Sequence, residues 1–440
     1  MLNKGVKYIL ENINNHGYEA YVVGGAVRNF LLNKYIADFD ITTNALPDEI
    51  EKMFEITIPT GKKYGTITVI HDNISYEITT YRSDGTYSDG RRPDNVNFSN
   101  NLKDDLKRRD FTINSMCMDF NKNIIDFFGG RDDLKNGLIK CIGNPDERFN
   151  EDALRMLRAV RFISQLGFNI DEETRLSIIK NSQLIKAVSV ERVHDELNKI
   201  LLSDKPSRGI RMLVETGLMN YIIPEYLSSV GFKQHNPYHD KDVFEHVMEV
   251  LDNIEPKLNL RLAAFFHDIS KPECFTQDQN GRGHFYGHHI KSAIATKEIM
   301  KRLKYSNELI EDVSILIRYH YLKEIDMKDK GVKKFINNVG INRLEDMFAL
   351  NIADIKGKAN IANFEKVEVL REKCNAILNN KEPLTKNDLK INGHDLEKLG
   401  IVKGKLYGDL LEKALELVFD FPEKNNKEEL VEFIKGEIGI

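Results

Sequence analysis

In "ADFDITT" and "YGTITVIHDNISYEITTYR" apolar side chains recur every second residue, whereas from about Asp146 onward they recur every third or fourth. A two-residue period puts alternate side chains on opposite faces of a strand; the longer period draws one stripe along a helix. The change of period therefore predicts an α+β chain, with a small mixed sheet in an N-terminal head and helices in nearly all that follows. Within the head, Tyr21–Gly25, "ADFDITT" and "YGTITVIHDNISYEITTYR" read as strands and "AVRNFLL" as a helix. Downstream, "NEDALRMLRAVRFISQLGF", "VERVHDELNKILL" and "GIRMLVETGLMNYII" carry helical stripes. Pro/Gly punctuation at "GNPDE", "KQHNPYHD" and "NNKEPLTKND" marks the joints. The expected organisation is a head over 1–145, a helical neck over 146–205, a helical body over 206–380 and a C-terminal helical unit over 381–440.

Composition excludes more than it selects. No stretch approaches the roughly 20 apolar residues that cross a bilayer, so a soluble, cytoplasmic protein with no membrane partner is expected. Cys117, Cys141, Cys274 and Cys374 lie far apart without a C-x-x-C pair, which suits a reducing compartment and argues against a thiolate-zinc framework. The formal net charge is −5, so any polyanion site must come from local Lys/Arg clusters. Nothing in the composition bears on oligomeric state.

The stretch "VVGGAVRNFLLNKYIADFDITT" supplies such a site. On a strand, Asp38 and Asp40 share one face while Phe39 turns to the buried side. Two aligned carboxylates offer hard oxygen ligands to Mg²⁺, and ions about 3.5–4 Å apart can polarise both the attacking and the leaving oxygen of a phosphoryl displacement. Gly24 and Gly25, between strand and helix, let backbone N–H groups approach a phosphate, with Arg28 in the first turn beyond. A triphosphate fits this pattern. Glu77 lies on another alternating strand, either as a third carboxylate or as an edge charge. In "DDLKRRDFTINSM", Arg108, Arg109 and Asp110 either form a solvated helix face or act on a nucleotide, Arg109 meeting phosphate or base and Asp110 a ribose hydroxyl.

In "NEDALRMLRAVRF" Asn150 reads as the N-cap, with Glu151 and Asp152 in the first turn and Ala153, Met156, Leu157, Val160 and Ile163 as the core stripe. That leaves Asp152, Arg155, Arg158 and Arg161 on the other side. Asp152 and Arg155, three residues apart, form either a surface ion pair or an acceptor and donor fork that imitates a base. Cytosine and adenine both present an amino donor beside a ring acceptor, and uracil and guanine do not.

The ordered set "GGAVR", "DFD", "YEITTYR", "RRDFTINSM", "IIDFFGGRDDL", "EDALRMLRAVRF" and "SVERVHDEL" resembles the class II tRNA nucleotidyltransferases, the CCA-adding enzymes and their bacterial poly(A) polymerase relatives, over about residues 18–200. The resemblance implies Mg²⁺ on Asp38 and Asp40, nucleotide contacts from Gly25, Arg28 and Arg109, and base choice by Asp152 and Arg155 with Arg158 and Arg161 nearby. It also implies the reaction: the tRNA 3′-hydroxyl attacks the α-phosphate of CTP or ATP and pyrophosphate leaves. A poly(A) polymerase, or an enzyme that adds only CC or only A, is the alternative within the family. One position departs, since Asn29 stands where the family usually has Asp and a charge supporting Arg28 is lost. The loop 82–96 resembles the flexible loop of complete CCA-adding enzymes, and 389–411, with Gly400 and Gly404, resembles a tail that grips tRNA.

In the body, "VFEHVMEVL", "FFHDISKP", "GHFYGHHIK" and "LNIADIKG" resemble the HD phosphohydrolase superfamily. Carried over by motif, His246, His267, Asp268 and Asp354 would hold a second divalent metal, Mn, Ni, Fe or Mg, with Lys271, His284 and His288 as phosphate or outer ligands. An HD phosphohydrolase with an RNA-binding head is the reading from a different enzyme class.

Overall fold

The computed structural model describes residues 2–85, 96–235, 241–321, 327–358 and 364–439, and the chain divides into two compact units, Met1–Leu227 and Ser228–Ile440. Residues 86–95, which hold most of the loop likened to that of complete CCA-adding enzymes, lie outside the described residues.

The first unit carries a mixed sheet of seven strands among the described residues. Its spatial order is Thr57–Gly61, Thr66–His71, Ile74–Thr80, Asp40–Thr43, Ala20–Val23, Cys117–Met118 and Ile124–Ile125. Asp40–Thr43 runs parallel to Ile74–Thr80 with Asp40 opposite Glu77, and antiparallel to Ala20–Val23 with Asp40 opposite Val23. Parallel neighbours in register share a face, so Asp40 and Glu77 stand side by side. The strand pair Thr66–His71 and Ile74–Thr80 closes through Asp72 and Asn73, both at positive φ (52° and 59°), the primed turn that follows the strand twist. Helix Lys4–Asn15 buries Val6, Ile9, Leu10 and Ile13, and Asn3 caps it by accepting from Val6 N at 2.7 Å. Strand Asp40–Thr43 begins three residues later than expected, so Asp38 lies ahead of it; Phe39 is still buried, with Asp38 and Asp40 exposed.

The helical part of this unit departs from expectation at two points. "GIRMLVETGLMNYII" breaks at Gly217 (φ 74°) into helices Pro206–Glu215 and Met219–Ile222. "NEDALRMLRAVRF" does not start a helix at Asn150: helix Pro145–Glu151 ends there, Asp152 is extended (φ −148°, ψ 102°) and a new helix runs Leu154–Leu166. Asn150 lies inside the first helix, its amide donating to the Asp146 carbonyl at 2.8 Å. Asp152 breaks the run because its own carboxylate accepts from Leu154 N at 3.0 Å, taking over the cap. The expected stripe of Ala153, Met156, Leu157, Val160 and Ile163 is buried throughout. Helices Val190–Leu201 and Pro206–Glu215 pack on Leu154–Leu166.

Among its described residues the second unit is helical apart from the hairpin Phe275–Gln277 with Gly283–Phe285. Its C-terminal end has a separate apolar cluster, in which Leu396, Ala414, Leu415, Val418, Leu430 and Ile434 are fully buried. Gly400 there adopts positive φ (77°), and Val402 between it and Gly404 is 83% exposed. No described helix is long and apolar enough to cross a membrane.

Gly209 is the tightest joint of the neck helices, since a Cβ there would lie 2.2 Å from Ser164 Oγ and 2.6 Å from Ile200 Cγ2. We expect Gly209→Val to lower unfolding free energy by at least about 1–3 kcal/mol through overpacking, measured by urea unfolding followed by circular dichroism. An unchanged midpoint would contradict this packing.

Candidate functional site

Asp40 opens onto a cavity of about 420 Å³ in the first unit, and Gly24 and Gly25 border it. Gly24 has φ +70°, and a Cβ there would lie 3.2 Å from Arg109 Nη1 and 3.7 Å from Asp40 Oδ2. Its bareness is what lets guanidinium and carboxylate converge beside the backbone. Asp105, fully buried, orients both neighbouring arginines: it accepts from Arg108 Nε and Nη2 at 3.0 and 2.7 Å and from Arg109 Nη2 at 3.4 Å. Thr42 Oγ1 donates to the same carboxylate at 3.1 Å. Desolvation raises the Asp40 carboxyl above its ordinary range, Arg109 opposes this and Asp38 adds to it. A carboxylate so placed gains from a nearby cation. Glu77 is exposed beside Asp40 in the parallel neighbour and Asp38 is exposed just ahead of the strand, and of the three predicted carboxylates only Asp40 lines the cavity.

The opposite wall is the start of helix Leu154–Leu166, and its arginines are not a solvated face. Arg155 and Arg161 are buried, at 8% and 9% exposure. Arg158 donates through Nε and Nη2 to Asp110 Oδ2 at 2.7 and 2.6 Å, while Phe111 N and Asn114 Nδ2 donate to Asp110 Oδ1 at 2.8 and 3.1 Å. Both oxygens of Asp110 are thus engaged. Asp110, read from the sequence as an acceptor for a ribose hydroxyl, lines the cavity and braces Arg158. Burial works against the Asp110 carboxylate, but Arg158 and these hydrogen bonds outweigh it and hold its pKa well below the usual range.

Asp152 accepts from Arg192 Nη2 at 2.7 Å on Oδ2, so this predicted base reader is itself held by the later helix Val190–Leu201. Arg155 donates from Nη1 to the Arg148 carbonyl at 3.0 Å and to Glu151, and from Nη2 to the Arg108 carbonyl at 3.1 Å. Arg161 donates to Glu196 Oε1 at 3.0 Å. Phe162 lies under three guanidinium groups, those of Arg161, Arg28 and Arg158, at 4.5, 5.0 and 5.9 Å. Asn29 proves an adequate support for Arg28: its amide oxygen accepts from Nε and Nη2 at 3.2 and 3.1 Å, and Asn114 accepts from Nη1 at 2.7 Å. Burial nevertheless pulls the Arg28 guanidinium down to about 10, with Asp110 opposing and Arg161 and Arg158 adding. Among the described residues seven arginines and three aspartates line the cavity, a surplus suited to a polyanion.

Comparison with known proteins fits this geometry. A Poly A polymerase head domain model matches residues 20–140, a "Probable RNA and SrmB- binding site of polymerase A" model matches 167–229, and a tRNA nucleotidyltransferase domain 2 model matches 288–434. The CCA-adding enzyme of Geobacillus sp. (strain WCH70) is 35% identical over 427 residues, covering 97% of this chain and 95% of that protein. The chain belongs to the CCA-adding enzyme family. A second member, from Ligilactobacillus salivarius (strain UCC118), is 36% identical over 440 residues, covering 97% of this chain and 95% of the relative. The crystal structure of the Bacillus stearothermophilus CCA-adding enzyme in complex with CTP matches with a TM-score of 0.72 at 28% identity, covering 98% of this chain and 96% of that one.

Sequence reasoning about this family member missed Asn114, Phe162, Arg192 and Glu196. Arg192 and Glu196 lie in "SVERVHDEL", which carried the resemblance, yet their partners are 40 and 35 residues away in the chain.

The second unit holds the other predicted cluster. His246 Nε2 lies 3.0 Å from Asp354 Oδ1 and 3.7 Å from Asp268 Oδ2; His267 Nε2 lies 3.2 Å from Asp268 Oδ2 and 3.7 Å from Asp354 Oδ1. All four predicted ligands therefore meet. Lys271 contacts Asp268 Oδ2 at 2.7 Å and Lys358 contacts Asp354 Oδ2 at 2.6 Å. Burial opposes both carboxylates, but His267 and Lys271 at Asp268, and Lys358 and His246 at Asp354, hold them well below their usual range. His288 lies beside this group and His284 on the rim of its cavity, paired with Asp278 at 3.0 Å. His320, for which the sequence suggested no role, is buried with Nε2 3.9 Å from Asp268 Oδ1.

Because folding lowers the Asp110 pKa, its carboxylate stabilises the fold above the unfolded value near 3.9, and this contribution fades as pH falls. We expect Asp110→Asn to cost about 2 kcal/mol at pH 7 and progressively less on acidification from pH 5 toward the lower limit of folding. Urea unfolding of both proteins across that range measures it. Parallel stability profiles would contradict the brace.

Proposed function

We propose that this family member builds C, C and A onto the tRNA 3′ end at the cavity of the first unit, with Mg²⁺ held by Asp38 and Asp40 and Glu77 alongside. The donor set fits such an ion, being hard carboxylate oxygens with one carboxyl raised by its surroundings. When bound, the metal lowers the pKa of the attacking 3′-hydroxyl and offsets charge on the phosphates. The chain's own residues do the positioning. Gly24 and Gly25 admit the triphosphate close to the backbone, and Arg28 and Arg109 bind its oxygens. The hydroxyl attacks the α-phosphorus, the bond to the β-phosphate bridging oxygen breaks, and pyrophosphate leaves without a covalent enzyme intermediate.

Base choice is assigned to Asp152 and Arg155, the carboxylate accepting from the exocyclic amino group and the guanidinium donating to the ring acceptor. Arg158 and Arg161 stand behind them. The single observation that carries this reading is that one cavity is lined at once by Gly24, Gly25 and Asp40 from the sheet and by Asp152, Arg155 and Arg158 at the helix junction. Unpaired, buried cysteines support a reducing, cytoplasmic setting. The convergence of His246, His267, Asp268 and Asp354 supports a second reading, in which the body also holds a divalent metal of the HD type that acts on a phosphate ester.

Transcripts of tRNA ending before the first C, after C and after CC, each given one nucleoside triphosphate, test the main proposal. We expect stepwise C, C and A addition. Asp40→Ala should reduce incorporation at least a thousandfold with tRNA affinity nearly unchanged, and Asp152→Ala should narrow the CTP/UTP preference tenfold or more. Turnover retained by the first variant, or discrimination retained by the second, would refute the corresponding role.

A further inference from the structure

At position 29, where the family usually carries Asp, this chain carries Asn, and both ends of the amide are in use. Oδ1 accepts from Arg28 Nε and Nη2 at 3.2 and 3.1 Å, and Nδ2 donates to the Tyr35 carbonyl at 3.2 Å. The neighbours fix which way the amide points. A guanidinium has only donors, so it must face the oxygen, and a carbonyl has only acceptors, so it must face the amino group. A carboxylate here could meet the first demand but not the second, because it would set an anionic oxygen against the Tyr35 carbonyl oxygen.

The bond to Tyr35 lies at the exit of helix Gly25–Leu31. Asn33 has positive φ (52°), its N–H donates to the Phe30 carbonyl at 3.2 Å, and the Lys34 N–H donates to the Asn29 carbonyl at 2.9 Å. These two bonds form the paired cap that turns a chain back at the end of a helix. Asn29 therefore grips two successive residues, Lys34 through its main chain and Tyr35 through its side chain. From there to strand Asp40–Thr43 the chain has no regular structure, and Tyr35 itself is 87% exposed, so its ring anchors little. Buried Phe39 fixes one end of this loop and Asn29 the other. Asp38 follows Tyr35 by three residues, a reach of at most about 10 Å, so the anchored carbonyl limits where its carboxylate can stand.

We propose that Asn29 is a positioning residue for both halves of the head site, its oxygen aiming Arg28 at the triphosphate and its amino group holding the loop that carries Asp38. This rests on the proposed function of that site and deepens it. The amide does in this chain what a carboxylate at the same position could do only in part.

Asn29→Asp and Asn29→Ala, made in the full chain, separate the two duties. Three quantities are read: CTP affinity in EDTA by calorimetry, the Mg²⁺ concentration for half-maximal C addition to a tRNA transcript, and hydrogen exchange of residues 33–38 in the metal-free chain. Asn29→Asp keeps an acceptor for Arg28 and loses the donor. Its metal-free CTP affinity should stay within about twofold of the parent while its Mg²⁺ requirement rises about fivefold or more, the scale of one lost hydrogen bond, and exchange over 33–38 quickens. Asn29→Ala, lacking both groups, should in addition weaken metal-free CTP binding about fivefold or more. Rescue of CTP binding by Asp but not by Ala is a division that a general loss of packing would not produce. An unchanged Mg²⁺ requirement or exchange rate in Asn29→Asp, or equal CTP affinity in the two variants, would overturn the role of Asn29 and leave the head site standing. A parent chain that adds no nucleotide would overturn the site itself and this role with it.

Discussion

Asp110 and Arg158 carry the arrangement of the first unit. Asp110 is buried and its charge needs a cation, which Arg158, with a side chain 35% exposed, supplies. Their contact, with Nε and Nη2 of Arg158 on one oxygen of Asp110, fixes the loop after Arg109 against helix Leu154–Leu166. The same logic repeats around the cavity. Arg161 has Glu196, Arg155 has two main-chain carbonyls, and Arg28 has the amide oxygens of Asn29 and Asn114. A wall of arginines held this way is organised before a nucleotide arrives, so little binding energy goes into arranging it.

The carboxylate platform was legible because it depends on local geometry. Alternation alone separates Phe39 from Asp38 and Asp40, and a parallel neighbour in register then brings Glu77 to Asp40. The break at Asp152 was not legible. Its neighbours keep a helical spacing, and what ends the first helix is a side-chain cap combined with Arg192, a partner brought close only by the fold. For the same reason the fate of the arginines was half read: their side of the helix follows from the period, whereas their burial depends on what packs over them. Asn29 shows the limit of reading a charge from a motif. The support Arg28 needs is an oxygen acceptor, and an amide provides it without the carboxylate.

In the body, the four predicted ligands could be placed from motif order, but His320 could not. A histidine at the end of a helix has no periodic partner, and only the fold brings its Nε2 toward Oδ1 of Asp268. On the proposed reading, the two clusters would hold metal with different ligands. The head offers exposed carboxylates suited to an ion that exchanges with substrate, whereas the body offers buried imidazoles suited to an ion that stays.

The central claim is that the sheet carboxylates bind metal beside a triphosphate whose base is read at the helix junction. A crystal structure with CTP and Mn²⁺, collected for anomalous scattering, tests it most directly. Anomalous density between Asp38 and Asp40, with the cytosine amino group against Asp152, is the expected result. Density away from both carboxylates, or a base turned from the helix junction, would contradict the account.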